Sequence, residues 1–172
     1  MTDAPNQISP REKLPMPVFD HVGMVKNLLS QAQHGALGTL TADGAPFSTL
    51  AALALDADGV PIIITSHLSG HTGHMERDPR VSLLVSAIGK GDPLAHPRVT
   101  LVARAVASHM GSADYDRLRA RYLAGNPKAE LYVSLPGFWF WRLEPVSVAL
   151  NAGFGKAWSG AWQEIMGISI AG

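Results

Sequence analysis

The chain has 172 residues, 47% of them hydrophobic and 16% charged, with 14 basic side chains against 14 acidic and no cysteine. The lack of cysteine excludes disulfides, thiolate nucleophiles, iron–sulfur clusters and thiolate zinc sites. A net charge of zero without a basic run gives no electrostatic reason to expect nucleic acid as a partner. A chain of this length buries roughly 70% of its unfolded surface, enough for one core.

The opening segment, MTDAPNQISPREKLPMPVFD, is polar and proline-rich and lacks the basic-then-apolar order of a signal peptide. No apolar run reaches the ~20 residues of a membrane span. The expectation is a cytoplasmic protein without a membrane partner. Residues 1–17 form a flexible arm, 18–157 the domain, and 158–172 a tail whose state the sequence leaves open.

Pro17 is placed to open a helix. Phe19, Val22, Val25 (or Met24), Leu28, Leu29 and Ala32 continue it at helical spacing to about Gln33. After Gly35 the period changes. ALGTLTADGAPFSTLAALALDADGVPIIITS reads as three strands, and Ala42-Asp43-Gly44 and Ala57-Asp58-Gly59 supply the Asp-Gly pairs favoured by primed hairpin turns. A short helix from Gly70 to Arg77 follows, opened by Ser69 and stopped by Asp78-Pro79. RVSLLVSAI and RVTLVARAVASH are strands around the loop GKGDPLAHP.

Ser112 is placed to cap the next helix, with Asp114 and Asp116 at its positive end and Tyr115, Leu118 and Tyr122 on one face. Gly125-Asn126-Pro127 ends it, a short helical piece spans Lys128 to Val133, and FWFWRLEP and VSVALNAGF give two last strands. The sum is a mainly β protein, an antiparallel barrel with flanking helices. No G-x-G-x-x-G follows a strand and there is no P-loop.

TSHLSGHTGHMERDPRVSLL carries His67, His71 and His74 within eight residues. A metal site is disfavoured, because His67 precedes the helix and Glu76 falls on a different side from His74. A strand running into a helix start, with Ser69, Gly70, His71 and Thr72 in the first turn, suits an anion: free amides, hydroxyls and an imidazolium converge there. The residue chemistry fits a plain helix cap equally well.

GALGTLTADGAPFSTLAALALDADGVPIIITSHLSGHTGHMERDPRVSLL resembles the FMN-binding split barrel of the pyridoxamine-phosphate-oxidase-like superfamily, and the resemblance runs from about Met24 to Ala157. HTGHMERDPRVSLL with the later AGFGKA is most similar to the haem-utilisation branch, without the further C-terminal domain that many members carry. Its motif is [His/Lys]-Thr-x-Asn-x-x-x-Asp-Pro-Arg-x-Ser-Leu. His71, Thr72, Asp78, Pro79, Arg80, Ser82 and Leu83 match it, and His74 replaces the usual Asn.

The resemblance implies a six-stranded split barrel that forms a homodimer with FMN in clefts between subunits. It puts the flavin phosphate at Ser69, His71 and Thr72, and the ring along Phe47–Leu50, including Ser48 and Thr49, and along Ile64–Ser66, including Thr65 and Ser66. In FWFW, Trp139 and Trp141 share one face; the reading favours barrel core and interface, with Trp141 flanking a partner's flavin as the functional alternative. In NAGFGKA, Lys156 is either a solvated lysine or a cation facing the ligand. Asp56, Asp58, Asp92 and Glu144 are read as solvated.

The activity implied is an FMN-dependent oxidoreductase acting on a small substrate or electron donor, the cofactor carrying the redox chemistry. Pyridoxamine-phosphate oxidation itself is not expected, since Ser69-Gly70-His71 stands where such oxidases have Ser-Arg-Lys. The alternatives are haem binding or haem breakdown, with His34, His67, His74, His96 and His109 as axial ligands to choose from, or a non-catalytic flavin or haem carrier.

Overall fold

The computed structural model describes residues 19–153 and 155–167, so the expected N-terminal arm and Pro17 lie outside the described residues. The first helix, α1, is His21–Gln31, and Asp20 begins it: its carboxylate accepts a hydrogen bond from the Gly23 amide at 2.8 Å. Val25, Leu28 and Leu29 form its buried stripe.

Three strands follow: β1 (His34–Leu40), β2 (Pro46–Leu55) and β3 (Pro61–Ser66). Their turns differ in type from the primed turns expected. A primed turn of type I′ needs positive φ at both central residues, but only Gly44 (φ +83) and Gly59 (φ +74) adopt it, and no non-glycine residue does. The Gly44 amide donates to Thr41 O and the Thr41 amide to Ala45 O, both at 2.9 Å. This is the longer hairpin loop in which an ordinary turn is closed by one left-handed glycine.

Helix α2 is Gly70–Arg77 as predicted, followed by β4 (Arg80–Ser86), β5 (Arg98–Ser108) and α3 (Tyr115–Gly125). Asp114, not Ser112, precedes α3; the Ser112 hydroxyl instead meets that of Ser108 at 2.8 Å. A 3-10 turn covers Pro127–Leu131. The two last strands expected are one, β6 (Phe138–Asn151). Pro145 is accommodated because the β5 register shifts between Val102 and Ala103, which pair with Ser147 and Pro145 and leave Val146 bulged. The described part of the tail adds strand β7 (Ala157–Ala161) and helix α4 (Trp162–Met166), and Trp162 and Ile165 enter the core.

The sheet order is β3-β2-β1-β4-β5-β6-β7, and β3 also pairs with β6, so six strands close into an antiparallel barrel with β7 as a flap on the far half of β6. Inward residues such as Leu37, Leu53, Ile63, Leu83, Leu101 and Leu143 fill it. Helix α1 adds its apolar stripe to this core, and α2 sends Met75 into it from the first helical turns after β3. Helix α3 covers the outside of β3 and β6, where Ile62 and Phe140 pack on Tyr115, Leu118 and Tyr122. The outer face of β2, β1, β4 and β5 keeps large apolar side chains in water: Leu50 is 71% exposed, Val102 49% and Leu84 39%. No helix among the described residues is long and apolar enough to cross a membrane.

Asp56, expected to be solvated, is buried where the β2–β3 turn meets β6. Its carboxylate accepts from the Asp58 and Val60 amides at 2.8 and 3.0 Å and from Arg142 Nε at 2.6 Å. Burial pushes this carboxyl's pKa up, but the Arg142 hydrogen bond, the two amides and the guanidinium charge outweigh it and hold the pKa below the ordinary value. A lowered carboxyl pKa contributes stability in full above the unfolded value of ~3.9 and loses it as pH falls through the folded value. Asp56→Ala removes the buried acceptor of the Val60 amide and of Arg142 Nε, leaving Arg142 only its exposed partners Asp58 and Glu144, and should cost about 3 kcal/mol in urea unfolding at neutral pH. The gap between wild type and variant should narrow as the solution is acidified below the carboxylate range.

Candidate functional site at the barrel split

Strands β2 and β3 pair only at Leu53–Ile63, Ala54–Ile62 and Leu55–Pro61. Beyond these, β2 stays with β1 from Pro46 to Ala52, while β3 pairs with β6 from Ile62 to Ser66. The barrel therefore splits between the first half of β2 and the end of β3, and α2 follows directly from that end.

Three threonine and tryptophan side chains tie α2 to the split. Trp141 Nε1 donates to Thr65 Oγ1 at 2.8 Å, Thr65 and Thr72 hydroxyls lie 2.9 Å apart, and Thr72 Oγ1 donates to Ser66 O at 2.6 Å. Each hydroxyl has one proton. With Thr72 donating to the carbonyl, Thr65 donates to Thr72, and the run Trp141–Thr65–Thr72–Ser66 is fully satisfied. All three side chains are buried. They face the interior and one another, so Thr65, Thr72 and Trp141 hold the shape of the junction; their polar atoms are already used.

Ser69, Gly70 and His71 present the outer side of the same turn. Ser69 precedes α2 without a side-chain capping hydrogen bond, and a Cβ at Gly70 would meet no atom within 4 Å. The Gly70 and His71 amides precede the helical ladder and have no carbonyl of the helix to bind. Hydroxyl and two amides at an exposed helix start make an open donor set for an anion. The expected imidazolium is revised: burial first, and the neighbouring His74 second, depress the His71 pKa, so the half-buried ring is neutral at pH 7 and serves as a hydrogen-bonding group.

The other histidines disperse. His67 turns to the Gly137 carbonyl, and His74 Nδ1 lies 3.0 Å from Thr39 Oγ1 with Phe47 edge-on at 5.1 Å. His74 thus links α2 to both β1 and β2 across the split, from the position where the motif usually has Asn. Asp78-Pro79-Arg80 is a clamp: Asp78 accepts from the Arg80 amide at 3.0 Å and from its Nη2 at 2.6 Å. The hydrogen bonds from Arg80 pull the Asp78 carboxyl down to about 2.

Next to the split, an open groove of 520 Å³ runs over β2, β1 and β4, with Ser48, Gly38 and Ser82 side by side. A Cβ at Gly38 would run into Ser82 Oγ, so a larger residue there would have to turn that hydroxyl aside. Ser48 faces this groove and Thr49, on the alternate side of the strand, is half-buried. Ser66 is half-buried and its Oγ accepts from the Leu68 amide at 3.2 Å. Gly38 escaped the sequence reading, and Ser82 entered it only as a motif match, because small residues in strands carry no site signal until the neighbouring strands are in register.

Lys156 is exposed and lies elsewhere. Ser66 pairs with Phe138 at one end of β6, whereas Lys156 follows Asn151 at the other. At ~3.3 Å per residue the two ends are about 40 Å apart along the strand. A second groove of 430 Å³ opens at the Lys156 end, lined by Arg98, Thr100, Asn151 and Trp158. Arg98 was not anticipated; only the Arg98–Asn151 register sets it beside the Lys156 loop.

Thr72→Val should lower stability by about 2 kcal/mol in urea unfolding, because the buried Thr65 hydroxyl loses its partner and the Ser66 carbonyl loses one of its two donors. Ser69→Ala, which removes a hydroxyl that caps nothing, should leave the unfolding midpoint unchanged.

Comparison with known proteins agrees with this architecture. A family model described as Pyridoxamine 5'-phosphate oxidase matches residues 23–151. The non-canonical heme oxygenase HOZ of Arabidopsis thaliana chloroplasts is 30% identical over 139 residues, covering 80% of this chain and 42% of that protein. A heme binding protein from Mycobacterium smegmatis superposes with a TM-score of 0.78 at 26% identity, covering 86% of this chain and 60% of the other. A protein of unknown function from Agrobacterium tumefaciens gives 0.71 at 36% identity, covering 86% and 61%. The split barrel, its α2 junction and the extent of the match together place this chain in the pyridoxamine 5'-phosphate oxidase family.

Proposed function

We propose that the protein is an FMN-binding flavoprotein that acts as a homodimer, with one flavin in each of two clefts between copies. The observation that carries this reading is the β3–α2 junction, where the Ser69 hydroxyl caps nothing and the Gly70 and His71 amides start the helix beside open space. These residues fit a terminal phosphate, and His71 adds a neutral hydrogen-bonding ring. Thr65, Thr72 and Trp141 act behind them by fixing the turn. The groove past Ser48 and Gly38 offers a flat, small-residue surface for the ring system.

At this end Arg80 lines the groove but is paired with Asp78, and Arg77 reaches back beside Gly73, while Lys156 and Arg98 stand at the end away from the junction. One copy cannot bring these two to the junction. Two copies packed through the uncovered face of β2, β1, β4 and β5, with their barrels running in opposite directions, set each junction against the other copy's Lys156 end. The same packing removes Leu50, Leu84 and Val102 from water. Bound flavin supplies hydride or electron transfer to a small substrate or electron donor. The chain binds it, orients its ring against the sheet, and offsets the phosphate charge with Lys156 from the neighbouring copy.

A second reading, haem binding, is favoured by the names of two relatives. The groove itself favours flavin, since no histidine, methionine or tyrosine lines it among the described residues.

Absorption spectra of the purified protein, alone and after adding FMN or haemin, separate the two. The flavin reading expects a two-banded spectrum with quenched fluorescence and FMN released on denaturation; a sharp Soret band without flavin uptake would overturn it. Composition of the cleft has its own test. His71→Glu and Lys156→Glu should each abolish FMN binding in the pure variant. Co-expressed in equal amounts, they should recover about a quarter of the wild-type capacity, because half the dimers are mixed and each has one intact cleft. No recovery would mean that the two residues do not meet across a dimer.

A further inference from the structure

We infer that the barrel mouth beside α2 is a separate binding site, which takes a small organic cation such as an alkylated ammonium. A recess of 420 Å³ opens there between α2 and the ends of β5 and β6. Inward positions at the end of a small barrel are ordinarily filled by large side chains. Here β5 contributes Ala105 and Ala107, and Ala107 pairs with Trp141, so the space in front of the indoles stays open.

The walls are aromatic and set at steep angles. His109 meets Trp139 edge-to-face at 4.5 Å, and Trp139 and Trp141 are 6.2 Å apart with their planes at 50°. Trp141 is buried at the back of the recess with its indole N–H spent on Thr65, and the accessible ring surface comes from Trp139 and His109. Glu76 is the one side chain with a full charge on the lining, which contains no lysine or arginine. It is exposed and joins no ion pair among the described residues.

Ring faces attract positive charge, and a carboxylate at the rim supplies the counter-charge. Methyl groups on nitrogen spread that charge over an apolar surface, which matches indole walls better than a hydrated primary ammonium does. A phosphate or carboxylate ligand would meet Glu76 and be repelled. The recess is therefore no extension of the flavin groove, with which it shares no lining residue. The inference does not rest on the flavin reading.

Choline and its uncharged carbon isostere, 3,3-dimethyl-1-butanol, form the test pair, titrated into the full-length protein by calorimetry and tryptophan fluorescence. Choline should bind saturably and about tenfold or more tighter than the isostere. Glu76→Gln and Trp139→Leu should each weaken choline about fivefold or more, with melting temperatures checked so that a folding defect in the tryptophan variant is recognised. Glu76→Gln, a surface change, keeps the test decisive if Trp139→Leu fails to fold. Equal binding of choline and isostere, no binding of choline at millimolar concentration, or wild-type affinity in Glu76→Gln would overturn the inference.

Discussion

The barrel closes through β3 and β6, and everything at the site follows from that choice. Strand β3 gives its last five residues, Ile62 to Ser66, to β6 and only three pairs to β2. The β2–β3 hairpin consequently opens toward its mouth. Two polar devices hold it in that shape. At the closed end Asp56 ties the hairpin turn to Arg142 on β6. At the open end Trp141 on β6, Thr65 on β3 and Thr72 on α2 are joined by hydrogen bonds. Neither device is replaceable by apolar packing alone, because each also satisfies a buried polar group: the Val60 amide in one, the Trp141 indole N–H in the other.

These constraints explain which parts of the protein were legible from residues alone. The hairpins, α2 and the barrel class follow from local signals, namely Asp-Gly turns, alternation and a serine–glycine helix start. Turn type was not legible, because Asp-Gly serves both a primed turn and the longer loop closed by a single left-handed glycine. The unity of β6 was hidden by Pro145, a residue that normally ends a strand and is tolerated here only opposite a register shift on β5. Asp56 looked solvated because turn aspartates usually are; Arg142, 86 residues later, makes it otherwise. At the site, a threonine at a helix start looks the same whether it binds a ligand or faces the core. The hydrogen bonds from Trp141 to Thr65 and between Thr65 and Thr72 decide for both.

The residues singled out by sequence divide between two ends of one barrel. Ser48, Ser66, Ser69 and His71 belong to the split, and Lys156 to the opposite end with Arg98. A neutral His71 brings no charge of its own to the phosphate, and Arg80 is committed to Asp78. In the proposed dimer the missing charge comes from the other copy, and the exposed apolar face that brings it there is the same face that forms the groove floor. Cofactor binding and association would then depend on each other. Whatever binds FMN tightly also stabilises the dimer, by the free energy of linkage.

The most direct test of the phosphate cradle compares FMN with riboflavin, which has the same ring and lacks the phosphate, by fluorescence quenching at constant ionic strength. Donors gathered at Ser69, Gly70 and His71, with Lys156 opposite, predict FMN affinity at least about tenfold higher than riboflavin, a difference of ~1.4 kcal/mol, and loss of most of that margin in Ser69→Ala combined with Lys156→Ala. Equal affinity for the two flavins would contradict a phosphate site at the β3–α2 junction.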